Sequence, residues 1–312
     1  MGTSERSDPS TYANPGYLVE TAWLADHLDD PAVRILDVTA MLTRDLVNRA
    51  RTEQYERGHV PGSSFCDVGS GHGELSDPDA PLPWTWPSAE GFAAVMGRHG
   101  IDRGTRVVIA ARTPRPGIDS GTMWCTRAWW TMHHMGVDAA ILRGGIEAWE
   151  DDGRPLVTDV PEIEPTTFEV EPGWEAGRAD RADVLAAVTE GSACVIDSLP
   201  ASSFDGTDAG YGPRKGHIEG AVNVPFRDLI EAETARFVAA DEMRRLLDEA
   251  GALDRPRVIT YCGGAIAATV DAFALALMGH EHVAVYDGSL MEWAADPELP
   301  MDDPSGDRRD GD

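Results

Sequence analysis

The feature that most constrains this chain is an internal repeat. "RILDVTA" (34–40) parallels "CVIDSLP" (194–200), an apolar strand ending in aspartate. "GHVPGSSFCDV" (58–68) parallels "GHIEGAVNVPF" (216–226). "FAAVMGRHGIDRGTRVVIAA" (92–111) parallels "MRRLLDEAGALDRPRVITYC" (243–262), and "MGVDAAILRGGIEAW" (135–149) parallels "MGHEHVAVYDGSLMEW" (278–293). One such match arises easily by chance; four in the same order do not. The chain therefore reads as two copies of one domain, 17–156 and 179–300. The Pro- and Glu-rich stretch 157–178 is expected to be a linker, and residues 1–16 and 301–312 are expected to be disordered.

Each copy alternates short apolar strands with helical stretches. That pattern predicts an α/β fold, with a mostly parallel sheet and helices on both faces of each copy. The strands lack strict polar alternation, as expected when both faces are covered.

Charge narrows the function. The net charge over 312 residues is −28, and Lys215 is the single lysine. Phosphate backbones and anionic membranes need concentrated basic residues, so neither nucleic acid nor a membrane surface is an expected partner. The acidity is also what a high-salt cytoplasm would select. No apolar run reaches the ~18 residues of a membrane span, and the polar start "MGTSERSDPSTYANPG" has no apolar signal core. Cys66, Cys125, Cys194 and Cys262 are far apart with no Cys-x-x-Cys, which predicts cytoplasmic free thiols, no disulfide framework, no zinc site and no cofactor.

One stretch carries chemistry: "RVITYCGGAIAAT" (257–269). Cys262 stands where a strand should end and a helix begin, the place where open α/β sheets bind ligands. The helix start offers unpaired N–H groups, and Gly263 and Gly264 let the backbone curl around the sulfur. Such a cradle is expected to lower the thiol from its usual pKa of ~8.5 and to stabilise an anionic sulfur product. The matching position of the first copy is Ala111, followed by a longer loop with two prolines. One copy is equipped for catalysis and the other is scaffolding.

Over about residues 17–300 the chain resembles the two-domain sulfurtransferases of the rhodanese family. "YERGHVPGS" (55–63) is similar to the family's N-terminal signature, and "VAVYDGSLMEW" (283–293) to its C-terminal one, with Leu290 where Trp or Phe is usual. "CGGAIA" (262–267) resembles its active-site loop. The resemblance implies a tandem rhodanese-like fold, inactive first and active second. It also implies sulfur transfer through a persulfide on Cys262, from thiosulfate or 3-mercaptopyruvate to cyanide or a thiol. By the same resemblance Gly263, Gly264, Ala265, Ile266 and Ala267 line the substrate, and Ser289 assists the nucleophile.

The departures concern donor recognition. Thiosulfate-type loops carry cations and mercaptopyruvate-type loops carry hydroxyls; Gly-Gly-Ala-Ile-Ala has neither. Leu199 and Ser203 stand where two arginines are typical, and Gly69 and Trp84 where an Asp and a His are typical. Arg214 and Lys215 are the nearest cations in the sequence and the candidates for holding an anionic donor.

Other residues read as architecture. His59 and His217 are expected to hold loops, Asp37 and Asp197 to brace strand ends, and the cluster Trp124, Trp129, Trp130, Met132 and Met135 to fill a core. His133 and His134 are adjacent and so point apart on a helix. "DVGSGHGEL" (67–75) lacks the ending of a P-loop. A cysteine phosphatase needs arginine at 268, where this chain has alanine. The rival to an enzyme is a persulfide carrier serving a sulfur-accepting protein. Two domains packing on each other make a monomer sufficient.

Overall fold

The structure is a computed structural model that describes residues 11–304 except Asp119 and Ala209. In the first half the strands are β1 (Leu18–Val19), β2 (Val33–Asp37), β3 (Ser63–Phe65), β4 (Arg106–Ala110) and β5 (Asp138–Leu142). They form one parallel sheet in the order β1-β5-β4-β2-β3. In the second half β6 (Arg178–Ala179), β7 (Cys194–Asp197), β9 (Val222–Asn223), β10 (Val258–Tyr261) and β11 (Val283–Tyr286) form a parallel sheet in the order β6-β11-β10-β7-β9. The two orders superpose strand for strand. The sequence repeat is therefore a repeat of topology.

Central strands β7 and β10 are buried at every residue, which explains why their sequences do not alternate. Helices α1 (Thr21–Asp26), α2 (Ala50–Glu53), α3 (Ala89–Arg98), α4 (Gly121–His134) and α5 (Gly145–Asp151) belong to the first half. Helices α6 (Arg181–Glu190), α7 (Ala201–Phe204), α8 (Ala240–Glu249), α9 (Ala268–Leu277) and α10 (Ser289–Trp293) belong to the second. Local chemistry sets several starts. Ser88 caps α3 by accepting the Gly91 N–H, Ser120 caps α4 by accepting the Met123 N–H, and Asp180 and Asp183 form a reciprocal capping box at α6. Helix α9 has no side-chain cap. The N–H groups of Thr269 and Val270 turn back to the carbonyls of Ile266 and Ala267, at 3.0 and 2.9 Å, which leaves the Ala268 N–H for whatever sits before the helix.

The halves meet along α4 and α9. Trp129 stands edge-on to Phe273 with ring centres 4.6 Å apart, and the hydroxyls of Thr126 and Thr269 are 2.9 Å apart. The tryptophan cluster of α4 is thus largely inter-domain core, buried with α9 in one apolar cluster. His133 stacks on Trp129 and His134 packs against Trp130, so the two rings serve different neighbours. His59 Nδ1 lies 2.8 Å from the Tyr55 carbonyl, and His217 Nδ1 lies 2.7 Å from that of Phe204.

Two expectations about unstructured segments need correction. Residues 301–302 form a strand, β12 (Met301–Asp302), antiparallel to β8 (His217–Ile218). Residues 11–16 are tied down too, with the Asn14 N–H donating to the Leu277 carbonyl at 3.1 Å. An antiparallel edge completes the ladder that β8 would otherwise expose to water, a pairing invisible to composition. Residues 1–10 and 305–312 lie outside the described residues. The connecting stretch 157–178 is fastened rather than free: Phe168 is buried, the Thr166 N–H donates to Gly97, and Trp174 stacks on Trp86. Among the described residues no helix is long and apolar enough to cross a membrane.

Candidate active site

Cys262 follows the last residue of β10 and is 2% exposed. The loop 263–267 carries the chain into α9, and its shape does not depend on the glycines in the way the sequence implies. The residue with left-handed backbone is Ala265, at φ 59°. The glycines instead permit close cover. A Cβ on Gly263 would sit 2.1 Å from the Tyr211 ring, and one on Gly264 would sit 3.1 Å from the Trp84 ring and 3.3 Å from the Met291 sulfur. Two aromatic rings and a thioether therefore lie against the backbone of the loop.

The backbone N–H groups of Gly264, Ile266 and Ala268 all act on the Cys262 sulfur and favour its thiolate. The expected cradle is present. The net effect is opposite to the expected one: burial is the largest influence and pushes the thiol up, with the Asp197 charge adding to it. Removing a thiolate from water costs more here than three N–H donors return.

Ser289 begins α10 with a left-handed backbone, φ 49°. Its hydroxyl donates to the Tyr286 carbonyl at 2.8 Å and accepts the N–H groups of Cys262 at 3.3 Å and Ala265 at 3.1 Å. Its single proton is committed to a carbonyl, so Ser289 is a positioning residue that holds the loop. Next to it, the N–H groups of Leu290 and Met291 donate to the carbonyls of Cys262 and Gly263, each at 3.0 Å. The first half keeps the equivalent bond, Ile146 N–H to the Ala111 carbonyl at 3.1 Å, around an alanine that cannot react.

The cation expectation divides. Arg214 faces away from an anion site: its guanidinium donates to the carbonyls of Trp293, Ala294, Asp296 and Leu299. It closes the C-terminal end of α10, where carbonyls lack helical partners and the dipole is negative. Lys215 is half-buried and forms no ion pair among the described residues.

The first half supplies the residue that sequence reasoning missed. Arg127 of α4 is 1% exposed and donates to the Ala265 carbonyl at 3.3 Å and to the Trp84 carbonyl. Its guanidinium is 3.8 Å from Asp287, whose other oxygen accepts the Trp86 N–H at 3.0 Å. One buried cation thus fastens the Trp84 segment, the active-site loop and the turn before Ser289 across the domain boundary. The signal was there: a single charged residue, arginine, in the helical stretch "MWCTRAWWTM". Trp84 is itself held with φ 59°, its indole N–H donating to the Gly69 carbonyl at 2.8 Å. The two first-half positions that lacked an Asp and a His, Gly69 and Trp84, are bonded to each other and cover the loop with an apolar ring.

Below the loop lie two further carboxyls, both 0% exposed. Asp197 accepts the Leu199 N–H at 2.9 Å and is pushed up to about 6 by burial. Asp271, on α9, is pushed far up by burial. Asp37 braces the matching turn of the first half through Thr39.

A tandem parallel α/β fold with a cysteine in a backbone N–H cradle defines the class, and comparison with known proteins agrees. The model of the rhodanese-like domain matches residues 20–152 and 180–296. The 3-mercaptopyruvate sulfurtransferase of Escherichia coli K12 is 32% identical over 291 residues, covering 92% of this chain and 98% of the relative. The sulfur carrier protein TtuD of Thermus thermophilus is 32% identical over 295 residues, 90% of this chain and 95% of the relative. The crystal structure of SseA from Escherichia coli, a 3-mercaptopyruvate sulfotransferase, matches at 30% identity with TM-score 0.74, covering 88% of this chain and 98% of that one. This chain belongs to the rhodanese family, with two copies of the domain, and is an enzyme of the sulfurtransferase class.

Proposed function

We propose that the chain moves a sulfane sulfur from a small donor to a thiophilic acceptor through a persulfide on Cys262. The observation that carries this reading is the set of backbone N–H groups that favour the Cys262 thiolate, Gly264 and Ile266 of the loop and Ala268 at the start of α9. The thiolate attacks the outer sulfur of the donor. The bond between that sulfur and the rest of the donor breaks, and its electron pair leaves with the sulfite or enolpyruvate fragment. The terminal persulfide sulfur then comes to occupy the N–H cradle. Attack on it by cyanide or a thiol returns the Cys262 thiolate.

The uncharged loop favours 3-mercaptopyruvate over thiosulfate, because both nearby guanidiniums are already engaged, Arg214 by carbonyls and the buried Arg127 by the Ala265 and Trp84 carbonyls and Asp287. Lys215 is the remaining candidate for a donor carboxylate. Free cysteines suit a cytoplasmic enzyme, the inter-domain core makes a monomer self-sufficient, and the net charge of −28 argues against a nucleic-acid partner. A second reading, transfer to a dedicated acceptor protein, is favoured by the 2% exposure of Cys262 and by the match to a sulfur carrier protein.

The test is a cyanide-to-thiocyanate assay with thiosulfate and 3-mercaptopyruvate side by side, with intact mass after each donor alone. One added sulfur, lost in Cys262→Ser, together with turnover supports the enzyme and identifies the donor. A stable added sulfur with little turnover favours the carrier. No added sulfur from either donor removes the proposal.

A further inference from the structure

We infer that the first half holds a divalent transition-metal site, built from Cys66, Glu74 and His99 and suited to Zn²⁺. The cysteine sulfur, a Glu74 carboxylate oxygen and a His99 ring nitrogen lie within 4.8 Å of one another. They come from three elements: the end of β3, the loop after it, and the residue closing α3. Ligands at 66, 74 and 99 have none of the short spacing by which zinc sites are read from sequence, so the spacing argument against zinc did not reach them.

Three features fit a metal better than a plain ion pair. The first is the ligand set. One thiolate, one imidazole and one carboxylate is a borderline donor group that suits Zn²⁺, with a fourth position left open. The second is distance. His99 Nε2 and Glu74 Oε2 are 3.3 Å apart, long for a charge-assisted hydrogen bond of ~2.7–2.9 Å. It equals the edge of a tetrahedron whose bonds are ~2.0–2.1 Å, the usual Zn–N and Zn–O lengths. The third is support behind the ligands. His99 Nδ1 lies 2.9 Å from the Ser64 hydroxyl, which with the proton on Nδ1 leaves Nε2 as a lone pair facing the site. The other Glu74 oxygen accepts the Asp67 N–H at 3.0 Å.

Access is from the Glu74 side, where the side chain is 28% exposed. Arg98, 3.4 Å from the same carboxylate, is 58% exposed and free to turn outward when a cation enters. Binding converts the Cys66 thiol to thiolate, with its proton released to solvent and no change of oxidation state. The ion would clamp the end of β3, the glycine-rich loop and the end of α3 together. That loop includes Gly69, whose carbonyl holds the Trp84 indole over the Cys262 loop. The sequence feature that failed as a P-loop would then be a metal loop.

The experiment uses the full chain, stripped with chelator and titrated with Co²⁺ and then Zn²⁺. The expected result is a sulfur-to-cobalt charge-transfer band saturating at one ion per chain and bleached by Zn²⁺, with a higher melting temperature for the Zn²⁺ form. The band should persist in Cys262→Ala and vanish in Cys66→Ser. His99→Gln should weaken Zn²⁺ binding at least ~10-fold. Circular dichroism of both metal-site variants checks that they are folded; if Cys66→Ser does not fold, His99→Gln and Cys262→Ala decide alone. No band in the wild-type chain overturns the inference. So does a band lost in Cys262→Ala, which would place the metal on the nucleophile.

Discussion

Replacing Asp197 with Asn should stabilise the protein in a pH-dependent way and make Cys262 more acidic. Asp197 is fully buried at the end of β7, and burial holds its carboxyl up at about 6. One oxygen accepts the Leu199 N–H at 2.9 Å. The Tyr261 hydroxyl accepts the Ile218 N–H at 3.0 Å and keeps its own proton for Asp197, which offsets the burial only in part. In the unfolded chain an aspartate titrates near ~3.9. The folded protein therefore holds this proton more tightly, and stability falls as pH rises from about 4 to about 6. A shift of about two units at ~1.36 kcal/mol each makes the ionised form cost near 3 kcal/mol above that window. Asparagine keeps the bond to Leu199 and carries no charge. Urea denaturation should show Asp197→Asn more stable by about 1–3 kcal/mol at pH 8, with the gain gone at pH 4. The Asp197 charge also raises the Cys262 thiol. The pH profile of iodoacetamide reaction at Cys262 should therefore move toward acid in the same variant. A gain of equal size at both pH values, or an unmoved thiol profile, would refute the reasoning.

Further expectations follow from the same geometry. In the wild-type protein, alkylation of Cys262 should still be rising at the alkaline side of an ordinary thiol titration, because burial outweighs the cradle; a plateau near neutral pH would contradict this. Arg127→Met leaves Asp287 buried with only Arg178 and the Trp86 N–H, and should cost about 3 kcal/mol in denaturation experiments. Asp287→Asn added to that variant should recover part of the loss, and strict additivity would argue against the pair. Ser289→Ala strands two buried N–H groups and should destabilise by about 2 kcal/mol while slowing sulfur loading; unchanged loading would mean that the loop holds its shape without the hydroxyl. Gly263→Ala should displace the partly exposed Tyr211 ring with under ~1 kcal/mol lost, and should raise the alkylation rate of Cys262. An unchanged rate would show that the ring does not guard the sulfur.

The sequence by itself determined the duplication, the parallel strands, the cysteine at a strand end that we propose as nucleophile, and the alanine at the matching place of the other copy. Each of these is local: a strand or turn is written in a few adjacent residues, and a repeat is a comparison of such stretches. "VITYCGG" is enough to put Cys262 at a strand end, and Ala111 shows the missing sulfur in the other copy. Only the tertiary structure decided what surrounds that sulfur. Whether Arg214 meets an anion or closes α10 depends on carbonyls 79 to 85 residues away. The cover supplied by Trp84, and its fastening by Arg127, come from the other domain. The direction of the Cys262 shift also depends on the fold, because burial is a property of all neighbours at once. A motif supplies the N–H groups of a cradle; the packing around it decides how much water the charge has lost.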